Sequence, residues 1–354
     1  MQDSLFDDAQ LPPALKAAAT TAPATCSRKA AAAKVMPAPA DPAQQALAAT
    51  LPPGLHLGSS SWFFPGWAGL VWDGEYEQSV LSKHGLEAYG QHPLLRTVSI
   101  DRTFYRPITA SQFAAYAAQV PDDFRFVVKA PSLVADAMVR AEDGRGQQAN
   151  PAFLDPLLAA QQFVQPALDG LGHKLGALVF QLSPLPASML VRLPEILERL
   201  RTMLLALPAL KPMAPDGVIA VEVRNPEFLT PAFAEVLRSA GATYCLGLHA
   251  KMPPAEAQLP MLRALWPGPM VGRWSLNAVH GAYGYEDAKS SYAPFDRIVD
   301  ADPETRDVLA RVIVATLAAG HTVYLTVNNK AEGSAPLSVH ALAEAIAARL
   351  GQAP

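Results

Sequence analysis

The chain has 354 residues, half of them hydrophobic, with 28 basic and 32 acidic residues and a net charge of −4. That length fits one large domain or two ordinary ones and supplies a sizeable core. The absence of a long basic block excludes a general electrostatic grip on nucleic acid and leaves only a local basic cleft for that role.

The chain starts MQDSLFDD, which is acidic and lacks the basic-then-apolar order of a secretory signal. No apolar run approaches the ~18 residues of a membrane span, so a soluble cytoplasmic protein without membrane contact is expected. Cys26 and Cys245 sit in unrelated contexts and suggest no disulfide framework.

Residues 1–50 are dominated by Ala, Pro, Thr and Gln and read as a disordered tail, because such a segment cannot bury enough apolar surface to offset its ordering entropy. Within it, Gln2, Leu5 and Phe6 of QDSLF resemble the short Gln-x-x-Leu-Phe peptide by which bacterial repair and replication proteins dock on the sliding clamp. Leu5 and Phe6 would fill an apolar pocket, and Gln2 would bond at its edge. An accidental pentapeptide, or a staple onto the domain's own surface, is the alternative.

The folded domain is expected over 51–354. Strand one falls near Leu55–Ser60, followed by the aromatic loop WFFPGWAGLVW and a helix over Glu75–Tyr89. Strand two is Thr97–Ile100, then comes a helix near Ser111–Gln119, and strand three is Phe124–Val128. A polar, Gly-rich insertion, AEDGRGQQANP, precedes a helix from Phe153 to Leu168 and strand four, Ala177–Leu182. An amphipathic helix near Ser188–Leu205 leads to strand five, Val218–Val223, and a helix over Pro231–Ala240. Strand six is Thr243–Leu248, and the proline-rich stretch after it holds a short helix at best. Strand seven is Met270–Leu276. A long loop then leads to helix Pro303–Ala319, strand eight at Thr322–Val327, and a last helix over Ser338–Leu350.

Eight short, near-continuous apolar strands alternating with helical phases predict an α/β protein of the (β/α)8, TIM-type barrel class. A doubly wound open sheet is the runner-up, but no G-x-G-x-x-G follows strand one, so its dinucleotide-binding form has no support.

In a barrel the residues just past each strand converge on one mouth. Candidate catalytic residues there are Glu222, Lys129 and Asp101. Candidate substrate-binding residues are Trp62, Tyr105, Gln181, Arg224, Arg273 and Asn328. Glu222 and Arg224 are two apart on a strand and share a face, and neither charge can sit inside a barrel alone. Glu222 is open to three roles: a structural ion pair, a general base or an anchor. Lys129 is an amine nucleophile if a pocket lowers its pKa, and otherwise an anion ligand or a partner of Glu222. Gln181, uncharged on an apolar strand, must find a partner, either a ligand or a neighbouring side chain. Asn328 and Asn329 suit orientation of substrate hydroxyls or phosphate, or a turn. Trp62 and the aromatics around it suit stacking on bases or sugars, or a hydrophobic lid.

The histidines show no H-x-H or H-x-x-x-H spacing, and there is no C-x-x-C. No metal and no cofactor is implied, and only ligands gathered from separate strands would make a metal site.

Taken together, GSSSWFFPGW, TVSIDRTFYRP, FRFVVKAP, LVFQLSP, AVEVRNPEF and VNNKAEGSAP occur in one order between residues 58 and 336. In these blocks the chain resembles the YecE-like proteins, a bacterial and archaeal TIM-barrel family named only as a domain of unknown function. The resemblance covers about Leu57 to Leu350 and implies a (β/α)8 barrel with a polar mouth, but no established reaction. Tyr105, Lys129, Gln181, Glu222, Arg224 and Asn328 match the family's motifs. The family usually has Glu-x-Asn-Ser before Thr-Phe-Tyr, where this chain has Ser99, Asp101 and Arg102. It tends to have Arg-x-His-Gly after strand seven, where Arg273 is here followed by Trp274 and Ser275.

The expected function is a metal-free enzyme, of hydrolase or lyase type, acting on an anionic or polar small substrate at the barrel mouth. One alternative is a DNA-maintenance protein that binds nucleic acid and is recruited to the sliding clamp. Another is a barrel that binds a ligand without turnover.

Overall fold

Among the described residues ten strands form, and all but two of them close a barrel. They are β1 (Leu55–Ser59), β2 (Thr97–Ile100), β3 (Arg125–Lys129), β4 (Met138–Arg140), β5 (Gly146–Ala149), β6 (Leu175–Gln181), β7 (Val218–Glu222), β8 (Thr243–Leu248), β9 (Met270–Trp274) and β10 (Val323–Val327). The computed structural model describes residues 34–39, 41–140, 146–281 and 283–352. The barrel order is β1-β10-β9-β8-β7-β6-β3-β2, with every neighbouring pair parallel. Every residue of β1, β2, β6, β8, β9 and β10 is buried. That is why these strands read as apolar runs: helices cover one face and the barrel interior the other.

Local chemistry starts the helices. Asp302 caps helix Pro303–Ala318 by accepting from Thr305 N at 2.9 Å, and Thr230 caps Pro231–Ser239 by accepting from Phe233 N at 3.2 Å. Both helices carry proline at their start, where a missing N–H costs nothing. Thr109 and Gln112 form a reciprocal capping box on helix Ala110–Ala117.

The interior of the barrel is layered. Alternate residues of a strand share a face, and Val127, Ala177, Val179, Ala220, Cys245, Val271 and Tyr324 form a separate apolar cluster inside the ring of strands. At the end where the strands begin, His56 stacks on Tyr324 with ring centroids 5.1 Å apart, and Arg125 pairs with Asp216 at 2.9 Å. Burial, with Arg125 and Arg96 adding to it, pushes His56 down to about 4, so this end is closed by a neutral imidazole.

Several expectations change. The tail does not extend to residue 50. Val35 is buried, Pro37 bridges to Trp72, and helix Pro42–Ala49 is capped by Asp41 and packs Leu47 and Ala48 against the core. Composition missed these few anchoring contacts. The Glu75–Tyr89 helix is two helices, Gln78–His84 and Leu86–Tyr89, joined at Gly85. The Phe153–Leu168 helix contains a widened π turn at Ala160–Val164, just before Pro166, whose missing N–H disrupts regular pairing.

The proline-rich stretch holds a ten-residue helix, Ala255–Ala264, despite Pro260 inside it. Gln258 anchors it from the buried face. Its amide donates to the carbonyls of Gly247 and Pro253, and its carbonyl accepts from Tyr244 Oη at 2.5 Å. The long loop after β9 contains helix Tyr285–Tyr292, and β4, just before the polar insertion, pairs antiparallel with β5 inside it.

Candidate functional site

One further step along each strand turns the apolar interior layer polar. Lys129 follows Val127 by two residues, Gln181 follows Val179, Glu222 follows Ala220, Gly247 follows Cys245 and Arg273 follows Val271. Period-two alternation therefore carries these residues to the mouth formed by the strand C-termini.

Glu222 is wholly buried between two guanidiniums. Arg224 Nη2 lies 2.6 Å from its Oε1, and Arg273 Nη1 donates to its Oε2 at 2.8 Å. Gln181 Oε1 accepts from both arginines, at 3.0 Å from Arg224 and 2.9 Å from Arg273. Arg273 Nη2 also donates to Asp101 Oδ2 at 2.6 Å, and Asp101 Oδ1 accepts from Ser99 Oγ at 2.5 Å. Gly247 makes room for the carboxylate: an added Cβ there would sit 3.1 Å from Glu222 Oε1.

Burial alone would raise Glu222, but Arg224, Arg273 and Lys129 outweigh it and hold the carboxyl below its ordinary value. A carboxylate so paired is a weak base, which favours the ion-pair role for Glu222. Arg273 moves up because Asp101 and Glu222 overcome the opposing effect of its own burial. Asp101 serves Arg273 as a second carboxylate, and Ser99 orients it.

Lys129 stands apart from these pairs. Its Nζ lies 3.7 Å over the ring of Phe104, and no carboxylate among the described residues is within ion-pair distance of it. Burial lowers it to about 8, with Arg273 and Arg224 pushing the same way against Asp101 and Glu222. Beside this layer, Arg224 Nη1 is buried with no hydrogen-bond partner among the described residues. His249, just past β8, is pushed down to about 3 by burial and Arg224, so its imidazole is neutral.

The other candidates divide. Trp62 is 3% exposed and packs edge-on against Phe63 and Tyr116, while Trp67 and Trp72 are fully buried and stack on each other at 6.3 Å. These tryptophans are a lid and core, not an open platform for bases. Tyr105 is half exposed at the rim, edge-on to Phe104. Asn328 Oδ1 accepts from Lys330 N at 3.0 Å, which is the turn role. Gln2, Leu5 and Phe6 lie outside the described residues.

Two residues just after Asn328 have roles of their own: Asn329, which shares its two readings, and Lys330, which is not among the candidates. Asn329 Oδ1 accepts from Trp67 Nε1 at 3.1 Å and from Ala335 N at 2.8 Å, so it ties the aromatic loop to the start of helix Ala335–Leu350. Asn329→Ala is expected to cost about 1–3 kcal/mol by leaving two buried donors unpaired, read as a lower urea midpoint. A midpoint equal to wild type would deny Asn329 this role. Lys330 is buried just past the end of β10.

Among the described residues no group of three or more His, Cys, Asp or Glu side chains is placed to hold a metal ion, and no helix is long and apolar enough to cross a membrane.

A DUF72 family protein of Enterococcus faecalis V583 superposes with a TM-score of 0.51 at 16% identity, over 82% of this chain and 95% of that one. A DUF72 family protein of Thermotoga maritima MSB8 is 18% identical, with a TM-score of 0.48 over 84% of this chain and 99% of that one. At such identity the first likeness shows the fold alone. No curated protein matches the chain. The family model described as "Protein of unknown function DUF72" matches residues 56–354, the whole barrel from β1 onward, and the chain therefore belongs to the DUF72 family.

Proposed function

We propose that the barrel mouth is the active site of a metal-free enzyme of the lyase type, acting on a small anionic carbonyl compound, with Lys129 as the reacting amine. The observation that carries this is the Lys129 ammonium, over the Phe104 ring at 3.7 Å with no carboxylate partner among the described residues and lowered to about 8. A desolvated lysine next to other cations is the standard way to obtain a neutral amine near neutral pH. At pH 7 a lysine at about 8 holds roughly 200 times more neutral amine than one at about 10.4.

The amine lone pair attacks the carbonyl carbon, one proton is taken up from solvent, the carbonyl oxygen leaves as water, and a protonated imine remains. Electrons from a neighbouring C–C or C–H bond then flow into that imine as carbon dioxide or a proton departs. Protonation of the enamine at carbon, followed by hydrolysis, returns the product and the free amine. Arg224 binds the substrate's anionic group through Nη1. Glu222 and Gln181 hold the two arginines in place, and Asp101, whose side chain is 13% exposed against 0% for Glu222, is the carboxylate nearer the substrate.

The test is imine trapping. Wild-type protein is incubated with pyruvate, 2-oxobutyrate or acetoacetate and cyanoborohydride at pH 7, then mapped by peptide mass. Lys129 is expected to gain the reduced adduct at least about tenfold faster than exposed lysines, and Lys129→Met to gain none at that position. Labelling spread evenly over all lysines with every carbonyl acid would end the reading.

A further inference from the structure

Lys330 presents a second unpaired cation at the same end of the barrel. It is 7% exposed, and its Nζ lies 4.1 Å over the ring of Tyr285 and 6.0 Å from the ring centroid of Phe295. No carboxylate among the described residues is within ion-pair distance of it. The nearby charges that act on it are Lys289, which has the larger effect, and Glu286, so its surroundings lean positive. Ring faces attract a cation but accept no strong hydrogen bond. A buried ammonium held this way still lacks a counter-ion.

The lysine is also fixed in place. Its N–H donates to Asn328 Oδ1 at 3.0 Å, and its carbonyl accepts from Asn277 N at 2.8 Å. It follows the eighth barrel strand and faces a helix of the loop after the seventh, which is where (β/α)8 barrels frequently bind phosphate. The groups acting on Lys129 are Asp101, Arg273, Arg224 and Glu222; none of them acts on Lys330.

We infer that Lys330, roofed by Tyr285 and Phe295 and flanked by Lys289, binds a phosphate-class anion. Its oxygens accept from Nζ and replace the missing counter-charge. The anion is either free phosphate or the phosphoryl end of an organic ligand. This inference does not depend on Lys129 being a nucleophile.

Calorimetric titration of the full chain with inorganic phosphate at pH 7 tests it. Wild type is expected to bind, Lys330→Arg to bind within a few-fold, and Lys330→Met to bind at least about tenfold more weakly. Lys129→Met retains phosphate binding if the two sites are separate, so a failure at Lys129 is distinguishable from a failure here. Glycerol 3-phosphate binding about tenfold tighter than phosphate assigns the phosphoryl end of an organic ligand, and equal binding assigns free phosphate. No phosphate binding by wild type, or equal binding by Lys330→Met, overturns the site. If Lys330→Met does not fold, acetylation of wild type replaces it. Phosphate should slow modification of Lys330 and not of exposed Lys83, and an unchanged Lys330 rate overturns the site equally.

Discussion

Replacing Glu222 by alanine is expected to lower the free energy of unfolding at pH 7 by about 3–5 kcal/mol. The carboxylate is fully buried and compensates two guanidiniums at 2.6 and 2.8 Å. Removing it leaves Arg224 and Arg273 facing each other in a low-dielectric interior, with Gln181 as the one neutral acceptor they share. Replacing Glu222, Arg224 and Arg273 together by apolar residues should cost less than the single change, because no charge is stranded. The pH dependence has a definite sign. Glu222 is held below its ordinary value in the fold, after burial is outweighed by Arg224, Arg273 and Lys129. Its contribution is therefore present above the unfolded value of about 4.3 and lost as pH falls through the lower folded one. Urea unfolding of wild type and variant should show a gap that is wide at pH 7 and narrows well below pH 4. A difference under about 1 kcal/mol at pH 7 would show that the buried pair is not the constraint described.

The second large effect is expected at Arg273. It joins Asp101, Glu222 and Gln181, from three other barrel strands or their ends, and it pushes Lys129 down. Arg273→Met strands Asp101 and should destabilise by a similar amount, about 3–5 kcal/mol. It should also change the amine. Without Arg273 the attraction of Asp101 for the Lys129 ammonium is less opposed, so Lys129 moves from about 8 toward the ordinary lysine value. The neutral fraction at pH 7 falls about tenfold for each unit of that rise, and trapping slows with it. The pH–rate profile of trapping separates this from simple loss of structure: its midpoint should shift upward in folded variant protein. A profile centred where wild type's is would mean that burial alone sets Lys129.

The aromatic loop shows why a stacking platform reads so easily from the chain. Five large rings within eleven residues are what base stacking needs and also what a lid needs. The packing decides it: Trp72 Nε1 donates to Phe64 O at 2.9 Å, Trp67 Nε1 to Asn329, and both indoles are sealed from solvent. A nucleic-acid role would have to use other rings.

The barrel itself was legible because its determinants are local. Apolar runs set the strands, Thr-Pro and Asp-Pro set helix starts, and the two-residue spacing of Glu222 and Arg224 placed both on one face. What stayed hidden depended on partners far away in sequence. Val35 and Leu47 looked like tail until the core received them, and Pro260 looked like a helix breaker until Gln258 was anchored from β8. Asn328 and Lys330 are two residues apart, yet nothing in that spacing shows that one positions the other under rings at 285 and 295. The roles at the mouth divide the same way. Residue type and strand position were written in the chain. Which charge is spent on a neighbour and which is left for a ligand was decided only by closure of the barrel, because Coulomb energy depends on distances that closure creates.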